Sequence, residues 1–482
     1  MWHLDLHGNV RQNPKLSGTT HNVFGIQVGV GITILVRNSQ SAERFIKYHR
    51  VPEFARRLEK LDLLQNAGDV SGIEWQTLVP NAKNAWLTEG LEGDFETFLP
   101  LGSKAAKASF SPDIQTVFRT YSLGVSTNRD EWIYNFDRSM LAISMKRFID
   151  FYNSESERWQ QHPNKKDNFD NFVSYSGSVK WSSTLKSSAK AGRKARFDES
   201  KIRRALYRPF CKNNLLYDEV LIDRAGAFNR YFPNTDTENR VICLSGVASS
   251  KPFHCLMTDC IPDLHLTGDS QCFPFYTYSP DGATRTDNIT SHVLKTFQQK
   301  YGDAVSRWDV FHYVYALLHL PAYRAKYAEN LKRDLPHLPL LDVPFERFAA
   351  IGKELGELHV GFEAAPFLPE LVIIETRGKN EPLSFRVETM KWNRDKSVLK
   401  LNSTLSLGGF TPDLFAFKLG NRPALDWLVE SFKVKTDARS TISSDPNRAD
   451  EPRYILDLVR RVAFVSRRTN ALVGELEAMS VG

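Results

Sequence analysis

The sequence predicts a mixed α/β protein, and three observations carry that expectation. Short apolar runs at 240–245 and 273–278 are bounded by turn residues, as strands are. Apolar residues recur at helical spacing over longer stretches, notably 138–152 and 290–333. The 482 residues are 41% hydrophobic, 25% charged and 12% aromatic, which is the composition of an ordered chain with a real core and room for about three folding units.

Taken in order, the chain opens on a short strand between Met1 and Asn9 that runs into a polar Gly/Asn/Pro loop and then a β-rich, glycine-spaced run over 23–36. Such an opening reads like the middle of a domain. At 14 residues, with Gln27 and three glycines inside it, the run is too short for a membrane span, which takes about 20 apolar residues. Between about 40 and 65, SAERFIKYHRVPEFARRLEKLDLL has helical spacing and abundant charge, and Pro52 should kink it or split it into two helices. Over 138–152, Leu141, Met145, Phe148, Ile149 and Tyr152 share one face of an amphipathic helix that packs on a core. The helical text of 290–333 is punctuated by Pro321, and proline-rich loops surround 334–344. Two helix-like segments, 421–431 and 451–464, are separated by the turn text Ser443-Ser444-Asp445-Pro446-Asn447. No internal repeat or low-complexity tract is present.

Charge is uneven along the chain. In total 63 basic and 56 acidic residues leave a net +7, compatible with a polyanionic partner or with an ordinary basic enzyme. Between 180 and 212, eleven basic residues (Lys180, Lys186, Lys190, Arg193, Lys194, Arg196, Lys201, Arg203, Arg204, Arg208, Lys212) stand against two acidic ones, Asp198 and Glu199, so this segment alone exceeds the net charge of the chain. In SSTLKSSAKAGRKARF small residues separate the cations, which suits a loop or helix start laid along nucleic-acid phosphates. Each phosphate neutralised releases counterions, and affinity then falls with salt. A solvated cationic face without a partner is the other reading. Upstream, Thr127, Asn128, Arg129 and Asp130, between Gly124 and Trp132, form a polar loop. Its Asn and Arg have the donor and acceptor geometry of adenine and guanine edges in the major groove, and a hydrogen-bonded turn is the plainer reading. The residues expected at DNA are thus Thr127, Asn128 and Arg129, with Lys186, Lys190, Arg193, Lys194, Arg196, Arg203 and Arg208 on phosphates. Alanine at Arg193, Lys194 and Arg196 would then weaken binding to every duplex and flatten its salt dependence.

Catalytic text is missing. An S-adenosylmethionine-dependent amino methyltransferase needs a glycine-rich turn after its first strand and an NPPY-like loop that holds the flipped base. Asn13-Pro14-Lys15-Leu16 matches that loop in two letters only and follows no hydrophobic strand. No GxxxxGK[ST] phosphate loop occurs, so no ATP-driven motor is encoded. Pro412-Asp413 is followed by Phe415-Ala416-Phe417-Lys418, without the acid before the lysine that a metal-dependent nuclease would place there. No GxSxG elbow marks a nucleophile. Cys255, Cys260, His265 and Cys272, with His254 and Cys243 nearby, lack a tight CxxC knuckle and read as buried apolar cysteines rather than a zinc site. The five cysteines are an odd set, and with no apolar leader text the expected setting is reduced and cytoplasmic.

Several long stretches carry a likeness. DLHGNVRQNPKLSGTTHNVFGIQVGVGITILVRN resembles the later portion of the methyltransferase domain in Type ISP single-chain restriction-modification enzymes. YSLGVSTNRDEWIYNF, LYRPFCKNNLLYD, QCFPFY, WDVFHYVYALLHLPAYRAKYAENLKRDLPHLP and FKLGNRPALDWL resemble successive signature stretches of that family's C-terminal specificity region, so the likeness covers essentially the whole chain. Full-length members join a nuclease, a helicase-like ATPase, an adenine methyltransferase and a target-recognition domain, and they methylate adenine or translocate on and cut unmodified DNA. The resemblance implies a C-terminal remnant of a Rossmann-like methyltransferase sheet with following helices over 1–95, an α+β DNA target-recognition domain over 96–395, and its helical C-terminal portion over 396–482. It implies a specificity module that positions the methyltransferase and nuclease on double-stranded DNA. S-adenosylmethionine, ATP and magnesium would act only through upstream domains, and no catalytic, cofactor-binding or metal-ligating residue carries over to this chain. Two further readings stand open. One is a subunit of a split adenine methyltransferase completed by a separately encoded methyltransferase/helicase chain; the other is a non-catalytic remnant whose apolar strands at 1–40 would lack sheet partners.

Overall fold

The computed structural model describes all residues except 11, 12, 17–19, 41, 42, 82, 83, 110, 112, 176, 178, 250, 267, 379–381, 481 and 482, and it divides into two units, Met1–Leu91 and Glu92–Gly482. Part of the loop text after Asn9, and the first residues of the stretch read as helical before Pro52, therefore lie outside the described residues.

In the first unit, strand β1 (Trp2–His7) buries Leu4 and Leu6 and lies between β2 (Val30–Ile34), antiparallel to it, and β3 (Ile46–Arg50), parallel to it. Helix α1 (Arg57–Ala67) leads to β4 (Gln76–Leu78), and the sheet order is β2-β1-β3-β4. The core is small: Leu4, Leu6, Val23 and Val51, with Leu63, Leu64, Ile73 and Trp75 against them. Two expectations change here. The stretch around Pro52 is helical only after it, because Ile46–Arg50 finds a parallel partner in β1 and the pleated surface suits Ile46 and Tyr48. Of the 23–36 run only Val30–Ile34 is strand, and it forms a sheet edge whose side chains stay largely exposed.

The second unit supplies, in chain order, β5 (Ser122–Leu123), β6 (Tyr134–Asn135), helix α2 (Arg138–Gln161), helix α3 (Ser183–Lys190), β7 (Ile202–Arg208), β8 (Cys211–Leu216), β9 (Val241–Leu244), β10 (Cys255–Thr258), β11 (Ile261–Pro262) and β12 (Gln271–Pro274). Then come helix α4 (Arg307–Leu317), helix α5 (Phe345–Val360), β13 (Val372–Glu375), β14 (Lys391–Trp392), β15 (Val398–Lys400), β16 (Leu405–Gly408), the hairpin β17 (Lys418–Leu419) and β18 (Arg422–Pro423), and helix α6 (Tyr454–Ser480). Three four-stranded sheets have the orders β10-β9-β12-β5, β11-β7-β8-β6 and β13-β16-β15-β14. Single bridges from Val125 to Asp263 and from Ser126 to Arg224 fix the loop after β5.

Helix α2 keeps the stripe expected of it and extends it to Trp159, while Asp137 caps its start by accepting from Ser139 N and Met140 N at 2.7 and 2.9 Å. Each fully buried apolar side chain of the stripe contributes about 1.5–3 kcal/mol, well above the differences in helix propensity. Pro321 stands at the first position of the helix Pro321–Lys326, where its missing N–H is harmless. Helix α6 is longer than its sequence pattern indicated: 27 residues, about 40 Å. Its first half, through Val465, packs in one apolar cluster with α2, β7 and β8, and Leu472 and Leu476 reach a second cluster built on α4 and α5. Among the described residues no helix is long and apolar enough to cross a membrane.

Candidate nucleic-acid interface

The basic tract folds as one short helix, a tethered turn, and then strand β7 and the start of β8. Ser182 caps α3 by accepting from Leu185 N at 3.2 Å, and Leu185 and Ala189 face inward. Gly192, at φ +69°, lets the chain turn back in the left-handed region that side chains avoid. Four side chains of α2 hold the backbone from Ala189 to Ala195. Ser156 Oγ donates to Ala189 O at 3.0 Å, Gln160 Nε2 to Lys190 O at 2.9 Å and Tyr152 OH to Arg193 O at 2.7 Å. Asn153 brackets Ala195, donating to its carbonyl at 2.8 Å and accepting from its N–H at 3.0 Å.

The cations of this tract divide by what they meet. Lys190, Arg193 and Arg196 are exposed and make no ion pair with any described residue. Lys186 and Lys194 pair with Asp170 and Glu157 at the surface, and such pairs are worth about 0–1 kcal/mol in water. Lys180, Lys201, Arg204 and Lys212 pair with Glu131, Asp218, Glu363 and Asp259 at 3.3, 2.6, 2.8 and 3.1 Å. Arg203 donates to Pro233 O at 2.7 Å, and Arg208 lies between two carboxylates. Sequence reasoning missed neighbours that extend the basic surface: Lys146 of α2, 4.9 Å from the Phe197 ring, and exposed Lys165 and Lys166 after α2, where Lys165 Nζ donates to Gln160 O at 2.8 Å. Exposed Tyr175, 5.3 Å from Lys186 Nζ, adds an aromatic face. A two-lysine pair and a lone tyrosine are too short a signal to stand out in sequence.

The 127–130 loop differs from its expectation. Arg129 is 0% exposed, and its guanidinium donates to Ser182 Oγ at 2.6 Å, to Lys180 O at 3.2 Å and to Leu221 O. Burial pulls its pKa down to about 10, so it stays charged at neutral pH. Its donors are thus engaged inside the protein rather than offered to a base edge. Thr127 is buried as well, donating to the Asp130 carboxylate and accepting from Arg129 N at 3.2 Å. Asn128 alone of the three is exposed, at φ +56°, a conformation that Asn tolerates better than most residues. The structure does bring the two predicted tracts together, and Arg129 is the tie, since its acceptors Lys180 and Ser182 open the basic segment.

Beneath this loop lies a polar network. Arg208 is 2.9 Å from Asp263 and 3.5 Å from Asp130, stacked 3.9 Å over the Tyr207 ring. Tyr207 OH donates to Asp130 at 3.0 Å and Tyr134 OH to Asp263 at 3.1 Å. Burial lifts the Asp263 pKa to about 6, although Arg208 pulls it the other way. A Cβ on Gly124 would stand 2.7 Å from the Asp263 backbone, so only glycine fits at this crossing. All five cysteines are buried, Cys243 and Cys272 facing each other across β9 and β12. Among the described residues no group of three or more His, Cys, Asp or Glu could hold a metal ion.

The family model described as the Type ISP C-terminal specificity domain matches residues 116–458. Three solved structures are similar over 98% of this chain. They are a nuclease-deletion mutant of the Type ISP restriction-modification enzyme LlaGI in complex with a DNA substrate mimic (28% identity, TM-score 0.79), the ATP-dependent Type ISP restriction-modification enzyme LlaBIII bound to DNA (28%, 0.82), and the DrdV–DNA complex seen by cryo-electron microscopy (34%, 0.81). This chain covers 36%, 31% and 47% of those chains, less than half the length of each. No curated protein matches it. The matched residues hold the 127–130 loop, α2, α3 and all three four-stranded sheets of the second unit, and the chain belongs to the Type ISP C-terminal specificity domain family.

Proposed function

We propose that this chain is the part of a Type ISP restriction-modification enzyme that grips and reads double-stranded DNA, with the turn after α3 on the phosphates and Asn128 toward the bases. One observation carries the reading: Lys190, Arg193 and Arg196 are exposed, lack ion-pair partners among the described residues, and stand on a turn held by four side chains of α2. Cations placed this way meet phosphates without giving up a partner or ordering a loop. Lys186 and Lys194 join them by exchanging screened surface pairs, while Thr127, Arg129, Arg203 and Arg208 hold the surface from within. That the three similar structures are DNA complexes supports the reading.

In the whole enzyme this region would position an adenine methyltransferase and a translocating nuclease on the target, with S-adenosylmethionine, ATP and magnesium acting through other domains. Residues 1–95 would be the end of the methyltransferase domain, 96–395 the recognition domain and 396–482 its completion. Support for the first assignment is the parallel β1/β3 pair, the pairing of a Rossmann-like sheet, beside an edge strand followed by Leu35 and Val36 at 73% and 65% exposure. The same exposed edge favours a second reading, in which a separately encoded methyltransferase/helicase chain seats there.

Fluorescence anisotropy on labelled duplexes across a salt series tests the main reading. Alanine at Lys190, Arg193 and Arg196 together should weaken binding to every duplex and lower the log–log salt slope by about 0.9 for each phosphate no longer neutralised. Asn128→Ala should leave the slope alone and reduce discrimination between target and unrelated duplexes, by about 1–3 kcal/mol for a bidentate base pairing. Unchanged affinity and slope in the triple variant would remove the turn from the interface.

A further inference from the structure

Away from the α3 turn, the second unit holds a cavity of about 710 Å³, partly open to solvent, whose walls come from distant parts of the chain. Lys251 enters from the segment before β10, Arg324 from the helix Pro321–Lys326, Lys332 from the helix Ala328–Arg333 and Lys418 from β17, while α6 closes one side with Asn470. None of the described wall residues is an aspartate or glutamate. Converging like charges raises the energy of the folded chain unless something negative sits among them. Arg324 illustrates the imbalance, since it donates to the Leu318 carbonyl and to Cys255 Sγ, both uncharged; Lys332 pairs with Glu329, which lies outside the wall. The Lys251 pKa is lowered, first by burial and then by the charges of Arg422 and Arg208, which stand outside the wall, while Asp269 acts the other way.

We propose that this cavity binds a phosphate group. A carboxylate offers two oxygens along one edge, whereas a phosphate presents oxygens in several directions, as cations arriving from four segments require. Ser249 stands in the wall as a further hydroxyl donor, and Gly420, at φ +67°, keeps the hairpin backbone close to Lys251. The remaining wall includes Phe253 and Phe417, apolar surface against which a sugar or base attached to the phosphate can lie. The phosphate belongs either to a duplex backbone or to a free nucleotide, and the two sources are separable by experiment.

The test is isothermal titration of the full chain with inorganic pyrophosphate, against the double variant Lys251→Glu/Lys418→Glu and the charge-conserving variant Lys418→Arg. Saturable binding is expected in the wild type, retained in Lys418→Arg and weakened at least about tenfold in the double variant, with thermal unfolding of each confirming that it is folded. Lys190→Ala/Arg193→Ala/Arg196→Ala should bind pyrophosphate as the wild type does, so failure of the α3 reading and failure of this one are distinguishable. If pyrophosphate also displaces a labelled duplex from the α3 triple variant, the phosphate is that of the backbone; if it binds without displacing, the site takes a free nucleotide, and either result supports a phosphate site. No saturable binding up to about 10 mM, or equal binding in the wild type and the folded double variant, overturns it.

Discussion

Arg129 has the donors that a guanine edge requires, and it sits in a loop whose neighbours suggest exposure, yet every donor group is turned onto a carbonyl or the Ser182 hydroxyl. Removing one member of a buried charged network costs about 3–5 kcal/mol, so Arg129→Ala should lower the urea unfolding free energy by that order. Arg129→Lys should not rescue it, because one ammonium cannot span the three acceptors that the planar guanidinium reaches. A variant with wild-type unfolding and diminished base discrimination would return Arg129 to the bases. Residue type was legible here and residue role was not. Side-chain chemistry is written in the sequence, but whether a donor points at solvent depends on acceptors such as Leu221 O, 92 residues further along the chain.

At the scale of elements, the α3 turn works as a platform because α2 holds it. Asn153→Ala removes both hydrogen bonds to Ala195 while leaving every cation in place. Duplex affinity should therefore fall by up to about tenfold through reduced preorganisation, with no change in salt slope. A changed slope in the anisotropy series would mean that the cations themselves had moved. Elements whose pattern closes within a few turns were readable: α2 from its stripe, β9 from its apolar run, and the break at Pro321, while the 273–278 run divides between the end of β12 and a separate strand, Tyr276–Tyr278. Strand β3 was not, since its parallel partner β1 lies some forty residues earlier and only pairing with it makes the segment extended. The second half of α6 was missed for a similar reason. Its text at 466–470 is polar, and what keeps it helical is that Thr469, Leu472 and Leu476 are buried within and beyond that interruption.

At the scale of the molecule, four histidines of the second unit have lowered pKa values: His254, His319 and His359, which are buried, and His312, which is half-buried. Burial is the main cause in each, taking His254 and His312 down to about 4 and His359 to about 3, and putting His319 well below its ordinary range. Between about pH 6.5 and 4 the unfolded chain binds these protons and the native chain does not, so stability falls as pH falls through that window. Asp263 opposes this, because the native protein protonates it at about 6 and the unfolded chain only near 3.8. Each group can change stability by about 1.4 kcal/mol per pH unit where only one state is protonated, so four histidines outweigh one aspartate. Guanidinium unfolding midpoints should drop between pH 7 and 5, and a flat or rising midpoint would mean that these histidines are charged in the folded protein.

The sequence by itself determined the mixed α/β class, the long amphipathic helix and the place of the basic tract, because periodicity and local charge are sums over neighbours in the chain. It also carried the family likeness that the 116–458 match established. Only the tertiary structure decided which cations remain available. A charge is cancelled by whatever the fold brings to it, and Arg204 meets Glu363 across 159 residues while Arg193 and Arg196 make no ion pair with any described residue. The converse holds at the cavity, where Lys251, Arg324, Lys332 and Lys418 mean little along the sequence and come to line one space once the chain folds.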